Sequence, residues 1–161
     1  MAILTRSGRI GIARSVKARQ IFLAWGTGNL EWGNNPPTED LLSATGLVNE
    51  VGRRICESVE FCTPDDQGEI ISTSGRFSVS ESPTNNLHFT VLFDFEDAAG
   101  QEIREYGLFL NTVVQSDLPI GQRYFLPTEI EDPGELLMLE NCVPLIRTGN
   151  TKHACSFVVT F

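Results

Sequence analysis

The steadiest hydrophobic alternation in the chain runs from Leu87 to Phe95. Leu87, Phe89, Val91, Phe93 and Phe95 recur at every second position, with His88, Thr90 and Asp94 between them. A period of two places the five apolar side chains on one face of a strand. The connection Glu96 to Gln101 follows, with Gly100 free to take the positive φ that a short hairpin loop needs. A second strand is predicted from Glu102 to about Asn111, where Tyr106, Leu108 and Leu110 share one face and Phe109 takes the other. Its far half is apolar on both sides, so cover on both sides is expected. The two strands read as a hairpin at the centre of the core.

The rest of the chain reads as short strands with one helix. Met1 to about Lys17 has two glycines, Gly8 and Gly11, and no sustained period, which predicts an extended arm. Arg19 to Trp25 alternates as a strand ended by Gly26-Thr27-Gly28, and Leu30 and Trp32 are expected to pin the turn-rich loop Asn29 to Pro37. Thr38 is placed as a helix N-cap with Glu39 and Asp40 in the first turn, Ser43 or Thr45 being alternative starts. Leu47, Val51 and Ile55 then stack at helical spacing, which leaves Asn49, Glu50, Arg53 and Arg54 for solvent, although Gly46 and Gly52 weaken the helix. Further strands are predicted at Ser58 to Cys62, Glu69 to Thr73, Arg76 to Ser80, Arg123 to Leu126, Leu136 to Leu139 and Ala154 to Phe161. The fold class is therefore α+β: a mainly antiparallel sheet or sandwich of about eight strands with one main helix and an extended basic arm. Residues 1–18 form the arm and residues 19–161 a single β-rich domain.

Charge changes this picture at one end only. The formal charge is -9, yet residues 1–20 carry Arg6, Arg9, Arg14, Lys17 and Arg19 and no acid, so the remaining 141 residues hold -14. The acidic body argues against nucleic acid as a partner. The basic start is either a solvated terminus or an arm lying on an acidic surface, its own or that of a neighbouring subunit. No processing break precedes Ile21-Phe22-Leu23-Ala24-Trp25, and no stretch has the roughly 20 apolar residues of a membrane span, so a soluble, untargeted protein without membrane insertion is expected. The four cysteines are expected to stay reduced, Cys155 as a small hydrophobe in step with Phe157, Val159 and Phe161.

Candidate chemistry is thin. No serine sits in a nucleophile elbow, and His88 and His153 lie in strand-like contexts. Cys56 and Cys62 are five residues apart in the gap between them, and His153 and Cys155 one, neither giving tight zinc spacing. Asp65-Asp66 and Glu131-Asp132 read as solvated turn residues, and Gly26-Thr27-Gly28 lacks the rest of a dinucleotide or phosphate loop. No enzyme, cofactor or metal is expected.

Three segments carry a resemblance: AWGTG at 24–28, ATGLVNEVGRR at 44–54 and IREYGLF at 103–109. Together they resemble the N-terminal domains of phage tail-collar fibres and related short phage tail proteins that join baseplate and fibre, over roughly residues 20–140. The resemblance implies a structural role in the virion. Collar-fibre proteins continue into a long fibre whereas this sequence stops at Phe161, so an adaptor at the edge of the baseplate is expected rather than a shaft. The implied partners are other tail, baseplate or fibre proteins and further copies of the chain, in the virion tail after assembly in the host cytoplasm. Arg6, Arg9, Arg14, Lys17, Arg19, Arg104 and Glu105 are the candidate interaction residues, with Arg104 also suited to an ordinary internal salt bridge. The alternatives, in order, are a glycan-binding β module using Trp25, Trp32 or Tyr124, and a hydrolase using Cys or His.

Overall fold

The computed structural model of the chain describes residues 1–38 and 41–161. Among the described residues a helix α1 (Arg6–Lys17) precedes twelve strands. These are β1 (Ile21–Gly26), β2 (Glu50–Ile55), β3 (Ser58–Pro64), β4 (Ile70–Ser72), β5 (Gly75–Val79), β6 (Asn86–Phe93), β7 (Glu102–Leu110), β8 (Val113–Val114), β9 (Tyr124–Phe125), β10 (Ile130–Asp132), β11 (Glu135–Ile146) and β12 (His153–Thr160). Short 3-10 turns occupy Leu30–Trp32, Leu41–Ser43 and Pro127–Glu129. The sheet-rich α+β class expected from the sequence is what the structure has. Contacts divide the chain into two compact units, one of Met1–Arg19, Cys56–Val91 and Ala154–Phe161, the other of Gln20–Ile55 and Leu92–His153.

In the first unit a five-stranded sheet runs in the order β12-β6-β3-β5-β4. Helix α1 replaces the extended arm that the sequence predicted. Thr5 caps it by accepting the Gly8 N–H at 3.1 Å, and Ala13 and Val16, three positions apart, are buried along it. Gly8 and Gly11 lower the intrinsic preference for helix, but a cap and one packed stripe override propensity in a folded context. Arg14 and Lys17 sit in the last turn, where the helix dipole favours cations.

In the second unit a five-stranded sheet runs β11-β7-β1-β2-β9, and β8 pairs with β10 as a separate ribbon. Every residue of β1 is buried, as its unbroken apolar run requires of a strand with neighbours on both sides. Trp25 faces Tyr106 on one neighbour and Gly52 on the other.

Three expectations are corrected. First, β6 and β7 do not form a hairpin, because β6 pairs with β3 and β12 while β7 pairs with β1 and β11. Alternation identifies a strand but not its partner, and β7, apolar on both faces, takes a central place beside β1. Strand β6 ends at Phe93, and Phe95 lies 44% exposed in the loop beyond. His88, assigned to the polar face, is buried. Gly100 does take positive φ, at 81°.

Second, the helix predicted from an N-cap at Thr38, or from Ser43 or Thr45, to Ile55 is absent among the described residues, and its first-turn positions Glu39 and Asp40 lie outside them. Glu50–Ile55 is instead strand β2 on the flank of β1. Gly46 and Gly52 weaken the helical stripe, and at position 52 the strand needs a glycine, since a side chain there would collide with the Tyr124 hydroxyl. Third, Arg53, expected in solvent, is 1% exposed. Of the strands, β2 falls in the stretch read as helix, β10 includes Glu131 and Asp132, read as turn residues, and β8 lies in a stretch given no element, which takes the count beyond about eight.

Candidate interaction surface

The five candidate cations at the start of the chain divide by environment. Lys17 is engaged, its Nζ donating to the carbonyl of Val59 and standing 5.6 Å from the centre of the Phe61 ring. Arg6, Arg9, Arg14 and Arg19 are exposed, and among the described residues none makes an ion pair. Arg6 and Arg9, three apart on one side of α1, line a groove of about 620 Å³ whose other walls include Thr63, Pro64, Ser74, Phe77, Asn85 and Thr160.

Arg104 and Glu105 are interior. Glu105 is 0% exposed, and its carboxylate accepts three backbone N–H groups: Gly28 at 3.2 Å and Asn49 at 2.8 Å on Oε1, and Val48 at 2.9 Å on Oε2. It ties the loop after β1 to the loop before β2. Gly26 is required beside it, because a Cβ there would fall on the Glu105 carboxylate and the Asn49 carbonyl. Arg104, 5% exposed, pairs with Glu102 at 2.9 Å, while its Nε and Nη1 have no hydrogen-bond acceptor among the described residues. Gly107 leaves room for Leu47 and Leu136.

Residues that sequence reasoning missed carry much of the buried polarity. Arg53 is held by Glu50 at 2.7 and 2.8 Å, by Thr112 and the Pro133 carbonyl at 2.8 Å each, and by the face of Phe109, 4.1 Å from its guanidinium carbon. Arg54 pairs with Asp97 at 2.6 Å. Trp25 is buried with its ring stacked on Phe93 and its Nε1 donating to the Tyr124 hydroxyl at 3.1 Å. Trp32 packs against Gly28. Two of the three aromatic residues considered for sugar stacking are thus committed inside.

One pair has the look of acid-base chemistry. His88 Nε2 lies 2.7 Å from the Ser156 hydroxyl, and Ser156 is exposed. Burial depresses the His88 pKa, against a smaller opposing effect of Glu60, so the ring is a neutral base. A Ser-His-acid triad needs an acceptor on the far ring nitrogen to fix the tautomer, and His88 Nδ1 has none among the described residues. All four cysteines are free, and burial pushes the thiols of Cys62 and Cys142 up to about 11, which leaves both as unreactive thiols near neutral pH. Among the described residues no group of three or more His, Cys, Asp or Glu is placed to hold a metal ion, and no helix is long and apolar enough to cross a membrane.

No curated protein matches the chain. The family model of the baseplate wedge 3 tail fiber network component matches it over residues 1–161, and the chain belongs to that family of phage baseplate and tail fibre proteins.

Proposed function

We propose that this baseplate and tail fibre component acts as a non-enzymatic adaptor. It joins fibres or neighbouring subunits to the baseplate, through protein contacts alone and with more than one copy in each particle. Assembly takes place in the host cytoplasm before the chain is carried in the tail, and neither nucleic acid nor a membrane is a partner. The observation that carries this reading is the separation of its charges. The interior arginines and Glu105 are bound within the fold, whereas Arg6, Arg9 and Arg14 on α1 and Arg19 just beyond it stand exposed and make no ion pair among the described residues. A surface of free cations on an otherwise acidic protein suits acidic protein neighbours.

The test is co-purification. A tagged chain is expected to remain with baseplate and fibre proteins when purified particles are taken apart, and to leave them as salt is raised. Its absence from purified particles would overturn the adaptor role. For the non-enzymatic part, a fluorophosphonate probe is expected to leave Ser156 unlabelled, and labelling lost in His88→Gln would contradict it.

A further inference from the structure

The groove beside α1 mixes polar and apolar lining. Arg6, Arg9, Thr63, Ser74 and Asn85 line it together with Pro64 and the buried Phe77. The first turn of α1 contains no acidic residue, so two guanidinium groups stand at the end of the helix that itself favours anions. Neither arginine is neutralised by the described residues of its own chain. Two guanidinium groups with no ion pair among the described residues suit a pair of carboxylates.

The chain itself offers such a pair. Residues 20–55 and 92–153 carry 15 acids and 6 bases, a net charge of -9, against six of each in the remainder. The acidic clusters differ in how far they are already used. Both oxygens of Asp65 accept hydrogen bonds, from Gln67 N and Ser78 Oγ. Asp97 is held by Arg54 and Asp94 by Lys152. Glu131 and Asp132 differ: both are exposed, neither makes an ion pair among the described residues, and Asp132 spends only Oδ1, on Gly134 N at 2.9 Å. They end β10 and lead into the turn at Pro133 and Gly134, and β10 is fixed in a ribbon with β8, so little ordering is needed to present them.

We infer that the Arg6–Arg9 groove of one copy takes the Glu131–Asp132 turn of a second copy, joining copies head to tail. The inference rests on the adaptor reading and specifies one contact within it. Groove and turn are unlike surfaces, so the contact is heterologous and each copy keeps one of each free for the next, giving a ring or an open chain. Two carboxylates against two arginines is a charge-assisted pairing that salt weakens, the Debye length falling from about 10 Å at 0.1 M to about 3 Å at 1 M.

The experiment is light scattering behind size exclusion on the full chain, on R6E/R9E, on E131K/D132K and on an equimolar mixture of the two variants. All four positions are exposed, and circular dichroism melts check that each variant folds; R6Q/R9Q and E131Q/D132Q replace any that does not. The expected result is a mass above the 17.8 kDa monomer for the wild type at low salt, monomers for either variant alone, and association restored in the mixture, where an acidic groove meets a basic turn. Reversal of either side is expected to weaken association at least about tenfold, as loss of close charge pairs does at other interfaces. For a neutral pair, mixing brings the intact groove of E131Q/D132Q against the intact carboxylates of R6Q/R9Q, so association to a dimer is expected, and monomers in that mixture overturn the contact. A monomeric wild type at low salt overturns the inference, as does association unchanged in the variants or unrestored in the charge-reversed mixture. If the chain still co-purifies with tail proteins in that event, the adaptor role stands and only this contact falls.

Discussion

Glu105 on β7 accepts the backbone N–H of Asn49 at 2.8 Å, 56 residues earlier in the sequence, from a position with no exposure to solvent. A carboxylate buried in this way is stable only because backbone donors replace its water, and here the neighbouring N–H groups of Gly28 and Val48 complete the set. Loss of the side chain leaves three donors without an acceptor. Glu105→Ala is expected to cost about 3 kcal/mol or more in urea unfolding, since each orphaned buried donor costs roughly 1–3 kcal/mol. Glu105→Gln, which keeps one acceptor oxygen, is expected to fall between the two. Equal stability of the alanine variant and the wild type would refute the role given to this carboxylate.

Gly52 lies where β2 passes the Tyr124 hydroxyl, which also accepts from Trp25 Nε1. Gly52→Ala drives a methyl into that hydroxyl and is expected to destabilise the fold by about 2 kcal/mol, in the range of overpacked cores. Tyr124→Phe removes the clashing oxygen at the expense of two hydrogen bonds, the one accepted from Trp25 Nε1 and a longer one donated to the Val51 carbonyl. A double-mutant cycle is therefore expected to show coupling, with the double variant more stable than the sum of the single losses predicts.

Glu50 neutralises an arginine that is almost wholly buried, at 2.7 Å. Glu50→Ala leaves the Arg53 charge with only neutral oxygens from Thr112 and Pro133 and the ring of Phe109. The expected loss is about 3 kcal/mol, the lower end for a broken buried pair. Chemical denaturation of this variant beside Arg53→Met separates the two contributions, because a methionine fills the volume without leaving a charge unpaired.

His88 gives stability a pH dependence of known sign. Its folded pKa lies below the ordinary 6.5, chiefly through burial. The unfolded state therefore takes up more protons as pH falls below 6.5, and stability is present above that value and lost toward the lower folded value. The melting temperature of the wild type relative to His88→Gln is expected to drop between pH 7 and about 5. A gap that widens in the opposite direction would show that the imidazolium, not the imidazole, is the form the fold prefers.

Legibility in the sequence followed the kind of force involved. Strands such as β1, β6, β7 and β12 could be read because alternation or an unbroken apolar run is local. Their partners could not, since pairing of β7 with β1 depends on which strands are covered on both faces. The helix was misplaced because α1 shows only two buried positions, Ala13 and Val16, whereas Leu47, Val51 and Ile55 mimic a stripe across a loop and a strand. At the candidate surface, the free charges of Arg6, Arg9 and Arg14 could be read as a run, but not the engagement of Lys17 with Val59, 42 residues away. The interior place of Glu105 had one signal available. It is a charge set among Ile103, Tyr106, Leu108 and Phe109, in a strand already expected to be covered on both faces.

The adaptor role is tested most directly by electron microscopy of particles assembled without this chain and of particles complemented with it. The role predicts tails whose baseplates lack fibres or fail to close, with both restored by the wild-type chain. Particles that carry a full set of fibres in its absence would contradict it.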